Sequence, residues 1–140
     1  IPYSSIFKIG LDEAEAIWNE TLTGEEYAKK FYQGKGTISV VTLGSDGAIL
    51  FNGHSVIKQS GLNVEVVDPV GAGDAFVAGL LRGLLTSKCP PETKKNRIDH
   101  LNVERLNYAL RMASICGSMT CTRKGDTAAM PTMAEIKEYL

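Results

Sequence analysis

The chain has 140 residues, of which 44% are hydrophobic, and its 15 basic and 16 acidic residues give a formal net charge of −1. This composition is too apolar for a disordered segment and suffices for one hydrophobic core. No apolar run approaches the roughly 20 residues of a membrane-spanning helix, and no basic stripe indicates a nucleic-acid partner. The three cysteines lack metal-ligand spacing, which favours reduced thiols. We therefore expect a soluble, cytoplasmic protein that binds a small molecule, without membrane or nucleic-acid partners.

The first part of the chain alternates helical and strand patterns. Two short helices are predicted at residues 11–20 and 24–31, the second opened by Thr23 with Glu26 three residues later, which is the spacing of a capping box. The run 37–43 is β-branched and almost continuously apolar, which is typical of a strand buried on both faces of a parallel sheet.

A β-hairpin is predicted to follow this strand. The apolar segments 48–51 and 55–57 flank the dipeptide Asn52-Gly53. Both central residues of a type I′ turn need positive φ, and Asn-Gly is the pair that adopts it most readily.

The second half of the chain is predicted to be mainly helical. A last short strand is expected at 64–67, followed by a helix over 75–85 that is apolar almost all round. The polar stretch 87–100 is expected to be a surface loop. Apolar and small residues then recur at three- and four-residue steps over 103–118, which indicates a further helix, and a final helix begins near Thr132.

A glycine-rich segment, Asp68-Pro69-Val70-Gly71-Ala72-Gly73-Asp74, joins the predicted strand at 64–67 to the helix at 75–85. The start of a helix leaves several backbone N–H groups unpaired, and the helix dipole adds partial positive charge there. Gly71 and Gly73 allow a phosphate to approach the backbone closely. The segment therefore predicts an anion site.

The carboxylate of Asp74 lies in this same turn. Phosphoryl transfer needs an acceptor for the proton of the attacking hydroxyl beside donors for the phosphate oxygens, and Asp74 would supply the acceptor. A helix-capping role for Asp74 is the alternative, and the residues alone leave both open. A dinucleotide-binding turn would need a small residue where Phe76 stands, and the Gly-Lys-Ser/Thr of a Walker A loop does not follow.

Three segments, in this order, carry a resemblance to a known family: Thr42-Leu43-Gly44-Ser45-Asp46-Gly47-Ala48, then the glycine-rich segment continued through Ala75-Phe76, then Thr122-Arg123-Lys124-Gly125-Asp126 with Pro131. Over nearly its whole length the chain resembles the ribokinase-like, or PfkB, family of carbohydrate kinases. Within this family, its short sequence segments resemble those of fructokinases and 2-keto-3-deoxygluconate kinases most.

The resemblance implies an α/β fold of the ribokinase-like type, with a mostly parallel sheet flanked by helices and a β-hairpin. Residues 1–140 would be the C-terminal nucleotide-binding and phosphoryl-transfer portion. The N-terminal sugar-binding part and the lid of the family have no match in the chain, so we expect this segment alone to be inactive.

The resemblance also implies roles for individual residues. Asp74 would be the general base, and the backbone amides of Ala72 and Gly73, with neighbouring Gly71, would form the anion hole. The residues expected to bind ATP are Thr42, Gly44, Ser45 and Gly47 at the phosphates and Ser114 at the adenine.

Two cation sites are implied as well. The Asn-x-x-Glu segment of the family, which organises Mg²⁺ through water, falls on residues 10–13, where Glu13 is kept but Gly10 stands at the Asn position. Many relatives hold a monovalent cation such as K⁺ beside the anion hole, and the matching positions are Asp68, Val70 and Thr120.

The function that follows from the resemblance is ATP-dependent phosphorylation of a hydroxyl of a small sugar or sugar acid. Its partners would be ATP and that substrate, and the full-length protein could form a homodimer. The alternative is a non-catalytic nucleotide-binding or regulatory module of the same fold, which Gly10 and the unmatched sugar half favour.

Overall fold

The computed structural model describes residues 3–85, 98 and 101–140 of the chain. Its centre is a sheet of four strands, adjacent in chain order: β1 (Ile6–Gly10), β2 (Ile38–Thr42), β3 (Ala48–Phe51) and β4 (Val56–Gln59). β1 and β2 are parallel, whereas β3 pairs antiparallel with both β2 and β4. The predicted α/β class with a hairpin is confirmed. Within the described residues, however, the sheet is mixed rather than mostly parallel, because the hairpin contributes two antiparallel pairings.

Five α-helices surround this sheet in the described part of the chain: α1 (Leu11–Trp18), α2 (Gly24–Lys30), α3 (Ala72–Leu85), α4 (Val103–Thr120) and α5 (Met133–Lys137). The predicted capping box of α2 is confirmed, because the Glu26 N–H donates to Thr23 Oγ1 and the Thr23 N–H donates to Glu26 Oε2. Among the helices that the structure describes, none is long and apolar enough to cross a membrane.

The two faces of the sheet are covered by different helices. Alternate side chains of a strand point to opposite faces, so Ile38 and Val40 pack in the cluster shared with α3 and α4, whereas Val41 packs in the cluster shared with α1 and α2. Residues 38–41 are all buried. The predicted burial of this strand on both faces is confirmed.

Close packing of α3 against α4 sets the position of the glycine-rich segment. A Cβ added at Gly83 would lie 2.5 Å from the Cα of Ala109, so a larger residue would push the two helices apart. Further along the same interface, Ala75 packs with Met112 and Ile115, and Ile136 of α5 closes this cluster. The start of α3 therefore lies beside the C-terminal half of α4.

One strand prediction is wrong, and one strand was missed. The segment 64–67 is irregular, since its backbone has no neighbouring strand in the described part of the sheet; instead the N–H groups of Val67 and Asp68 donate to the carbonyl of Cys121, at 2.8 and 3.1 Å. The strand β1 was not predicted, because the short Ile6-Phe7-Lys8-Ile9 run contains a lysine and has no turn signal before the following helix.

The hairpin turn also differs from the expected type I′ turn. It has four residues, 52–55, because Phe51 pairs with Val56. The Asn52 side chain accepts hydrogen bonds from the N–H groups of His54 and Ser55, and only Gly53 of the turn has positive φ. Hydrogen bonds to the Asn52 side chain thus stabilise this turn, in place of the backbone geometry of the expected type I′ turn. The predicted surface loop at 87–100 lies outside the described residues except for Ile98.

Candidate active site

A cavity of about 460 Å³ opens at the ends of β2 and β4, beside the start of α3 and the C-terminal half of α4. Seven of the predicted site residues line it: Thr42, Gly44, Ser45, Gly47, Ala72, Gly73 and Ser114. The 3₁₀ turn Gly44–Asp46 forms one wall and the glycine-rich segment forms another. Residues far apart in the sequence, predicted separately to bind the phosphates and the adenine of ATP, therefore face one space of suitable size for a nucleotide.

The glycine-rich turn exposes backbone donors at the start of α3. Gly71 has a φ of 79°, and its carbonyl accepts the Ala75 N–H at 2.9 Å. The Ala72 N–H donates to the Pro69 carbonyl at 3.2 Å, whereas the N–H groups of Gly73 and Asp74 have no acceptor among the residues described. The geometry therefore favours the Gly73 and Asp74 amides as anion donors over the Ala72 amide expected from the sequence.

Asp74 is the third residue of α3, and its side chain is exposed. A capping carboxylate would accept an N–H from the first turn of its helix. The Asp74 carboxylate makes neither such a hydrogen bond nor an ion pair with any residue that the structure describes. The capping alternative is thus not what the structure shows, and the carboxylate is free to accept a proton from a bound molecule.

Asp68 joins the glycine-rich segment to the predicted closing segment. Its Oδ1 accepts the Val70 N–H and its Oδ2 accepts the Gly125 N–H, both at 3.1 Å. The hydrogen bond from Gly125, followed by that from Val70, holds the pKa of Asp68 below its ordinary value. A Cβ added at Gly71 would lie 2.9 Å from the Cα of Asp126, so the closing segment passes directly against the turn.

Ser114 presents a buried hydroxyl to the cavity. The residue is 5% exposed, and its Oγ has no hydrogen-bond partner among the described residues. An unpaired buried hydroxyl costs free energy, so a ligand atom that hydrogen-bonds it would recover that cost. Ser114 is therefore the side chain of the cavity lining that we expect to hydrogen-bond a ligand.

Two carboxylates converge beside the start of α1. Glu13 Oε2 accepts the Gly10 N–H at 2.8 Å. A Cβ added at Gly10 would lie 2.7 Å from Asp12 Oδ1 and 3.0 Å from Glu13 Oε2, so the Asp12 carboxylate occupies the space that a larger residue at position 10 would fill. The pair suits a Mg²⁺ ion that keeps most of its waters, since such an ion needs only one or two carboxylates besides phosphate oxygens.

At the predicted monovalent-cation positions, the side chains of Asp68 and Thr120 already have hydrogen-bond partners within the protein. Both oxygens of Asp68 accept backbone N–H groups, and the Thr120 hydroxyl donates to the Cys116 carbonyl. In the described part of the chain, no three His, Cys, Asp or Glu side chains are grouped as metal ligands. The K⁺ role of Asp68 stays a prediction. The predicted site residues that do not line the cavity include Glu13, Asp68, Gly71 and Asp74.

Sequence reasoning missed the loop after β4 and its anchor on α4. Gly61, Leu62 and Asn63 line the cavity, and the Leu62 N–H donates to Ser118 Oγ at 3.0 Å. Ser118 lies four residues after Ser114, on the same face of the helix. That spacing was a signal that could have identified Ser118, whereas no local pattern marked the loop.

Comparison with known proteins gives a family match. The model of the pfkB family carbohydrate kinases matches residues 1–133. Probable fructokinase-2 of Arabidopsis thaliana is 29% identical over 137 residues, which are 98% of this chain and 39% of that protein.

Two solved structures resemble the fold closely. Aminoimidazole riboside kinase from Salmonella enterica, complexed with aminoimidazole riboside and an ATP analog, superposes with a TM-score of 0.78 at 29% identity over 97% of this chain and 42% of that one. A double mutant of the fructokinase from Vibrio cholerae O395, with fructose, ADP and potassium ion bound, gives 0.77 at 27% identity over 99% and 41%. The predicted ribokinase-like fold is confirmed, and the chain spans about two fifths of the length of these relatives.

Proposed function

The chain belongs to the PfkB family of carbohydrate kinases, and we propose that it carries the ATP-binding and phosphoryl-transfer part of a kinase that phosphorylates a hydroxyl of a small sugar. One observation carries the proposal. The free N–H groups of Gly73 and Asp74 and the unpartnered carboxylate of Asp74 lie together in the first turn of α3, beside the cavity.

The nucleotide is proposed to lie along this cavity. Its phosphates would contact the 3₁₀ turn through Thr42, Gly44, Ser45 and Gly47, and its adenine would reach Ser114. The γ-phosphate would then lie at the start of α3, where backbone N–H groups and the helix dipole stabilise negative charge.

Asp74 is proposed as the general base. The sugar oxygen forms a bond to the γ-phosphorus, the bond from that phosphorus to the β,γ-bridging oxygen breaks, ADP leaves with the electron pair, and the hydroxyl proton passes to the Asp74 carboxylate. Catalysis then comes from positioning and from stabilisation of charge on the transferred group. The exposure of Asp74 leaves room for the sugar above it.

The cation sites are proposals of the same kind. Glu13, together with Asp12, would hold Mg²⁺ through water, and the ion would neutralise charge on the β- and γ-phosphates. Asp68, with the carbonyls of Val70 and Thr120, would hold K⁺. The potassium ion bound by the Vibrio cholerae fructokinase supports that choice of ion.

The proposed acceptor is a hydroxyl of a sugar or a riboside. Fructose and aminoimidazole riboside are bound by two similar kinases, which favours a sugar or riboside hydroxyl over a sugar acid as the acceptor. Because the chain spans 39% of probable fructokinase-2, we propose that the isolated 140-residue segment binds nucleotide but does not turn over.

The second candidate is a module that binds nucleotide without turnover. The presence of Gly10 at the position of the family asparagine favours it. Titration with MgATP followed by an assay of sugar-dependent ADP release in the longest natural polypeptide containing this chain separates the two. Binding with turnover supports the kinase, binding without turnover on any sugar supports the module, and absence of binding contradicts both.

A further inference from the structure

A lysine on β1 approaches the same turn from the sheet. Lys8 pairs in register with Val40, and Ile6 and Val40 both pack in the cluster that β1 and β2 share with α3 and α4. Because side chains alternate along a strand, Lys8 lies on the face of the sheet that α3 covers. Its Nζ lies 3.6 Å from the position that a Cβ on Gly73 would take. The ammonium group is therefore beside the free N–H groups at the start of α3.

A positive charge such as that of Lys8 is unusual beside the start of a helix. Lys29, Lys30 and Lys58 each pair with a glutamate, and the described lysines without an ion pair other than Lys8 are exposed to solvent: Lys35, Lys124 and Lys137. Lys8 is half-buried and has neither an ion pair nor a hydrogen bond to any residue that the structure describes. The start of a helix already carries partial positive charge, so a cation there is unfavourable unless an anion lies between them.

We propose that Lys8 contacts the γ-phosphoryl group of ATP and stabilises its negative charge during transfer. This inference rests on the proposed function. Lys8 approaches from the sheet while the Gly73 and Asp74 amides approach from α3, so the phosphoryl oxygens would be held from two sides and the Asp74 carboxylate stays free to take the hydroxyl proton. The bonds formed and broken are those of the proposed transfer, and Lys8 keeps its protons throughout.

Lys8→Met tests this, since methionine keeps much of the aliphatic stem and removes the charge. In the longest natural polypeptide containing the chain, we expect kcat to fall about 100-fold with little change in the KM for the sugar, as for loss of one donor to a developing charge. Lys8→Arg should recover part of kcat because it keeps a positive donor. Lys58→Met removes an exposed lysine from the same sheet and should change kcat by less than about twofold.

A binding measurement separates failure of this inference from failure of the proposed function. Calorimetric titration of the same variants with MgATP and MgADP needs no turnover. Lys8→Met should weaken MgATP about 10-fold while leaving MgADP nearly unchanged, because a charge-assisted contact to the γ-phosphate is absent from the diphosphate. Equal affinities of wild type and Lys8→Met for MgATP, or an equal loss for both nucleotides, would overturn the role of Lys8 whether or not any sugar is phosphorylated.

A stability measurement distinguishes this role from a structural one. Removing an unpaired cation from the start of a helix should leave the urea midpoint of the ligand-free protein unchanged or raise it. A midpoint lowered by Lys8→Met, with MgATP and MgADP affinities lost together, would mean that Lys8 only supports the packing of β1 against α3.

Discussion

Asp68 Oδ2 accepts a hydrogen bond from the Gly125 N–H at 3.1 Å, across 57 positions of the chain. This contact joins the turn before α3, which carries the proposed phosphate site, to the segment after α4. Among the described residues, the N–H groups of Val67 and Asp68 donate to the Cys121 carbonyl just before the closing segment, and the segment itself makes an ion pair through Arg123 with Glu135. We therefore expect the Asp68 carboxylate to hold the closing segment in place.

The first prediction concerns how the stability of the fold depends on pH. Because the pKa of Asp68 is lower in the folded protein than its ordinary value of 3.8, the carboxylate stabilises the fold above that value, and the contribution is lost as the pH falls through the folded pKa. Asp68→Asn should therefore be less stable than wild type at neutral pH, and the difference should shrink in acid. Urea unfolding across the pH range measures it, with Glu138→Gln, an exposed carboxylate on the surface, as control. A difference independent of pH would contradict the assignment.

The second prediction compares two glycines in one turn. Gly71→Ala should destabilise the fold by about 1–3 kcal/mol, because alanine is strained at a φ of 79° and its Cβ would meet Asp126. Gly73→Ala should be neutral or stabilising by about 0.5 kcal/mol, because its Cβ finds ordinary contact distance and a helical residue loses less entropy than glycine.

Both substitutions should nevertheless lower MgATP affinity, Gly71→Ala by moving the turn and Gly73→Ala by placing a methyl group where the phosphate approaches. Thermal unfolding and calorimetric titration measure the two effects separately. If Gly73→Ala bound MgATP as tightly as wild type, the phosphate would not lie against this turn.

The third prediction compares two serines on one face of α4. Ser114→Ala should raise the free energy of unfolding by about 1 kcal/mol, since its buried Oγ has no partner in the described structure, and should weaken nucleotide binding. Ser118→Ala should lower the free energy of unfolding by about 1 kcal/mol, since the Leu62 N–H would lose its acceptor. Urea unfolding with and without MgADP checks both, and a Ser114→Ala variant that loses stability would show that its hydroxyl has a partner within the protein.

The fourth prediction concerns the base. Asp74→Asn should keep the fold and MgATP affinity but reduce turnover by about 10²–10⁴-fold, because the amide cannot take the hydroxyl proton. Glu104→Gln, which alters an exposed carboxylate in the first turn of α4, should leave turnover unchanged. Near-wild-type kcat in Asp74→Asn would exclude Asp74 as the base.

The sequence predicted those parts of the fold that depend on local pattern. The buried strand at 38–42 and the cap of α2 at Thr23 follow from side-chain periodicity and from capping chemistry over a few residues, whereas α3 begins at Ala72 and not at the predicted residue 75. The segment 64–67 has the composition of a strand, but a strand needs a neighbour to pair with, and no local pattern reveals whether one is present.

The candidate site was predictable to a similar extent. Gly71, Gly73 and Asp74 belong to one motif, so they could be recognised together. The approach of Lys8 to Gly73 and the contact of Asp68 with Gly125 depend on how β1, α3 and the closing segment pack, and neither has a local sequence signal. The unpaired state of the Ser114 hydroxyl likewise depends on the packing around α4.

Phosphorus NMR can follow the proposed phosphoryl transfer in a reaction that contains MgATP, the longest natural polypeptide with this chain, and fructose, with ribosides and 2-keto-3-deoxygluconate in parallel samples. The proposed transfer predicts that ADP and a sugar phosphate ester appear together in equal amounts with one of these acceptors, and that Asp74→Asn abolishes both. A folded polypeptide that binds MgATP but forms no phosphate ester with any acceptor would contradict it.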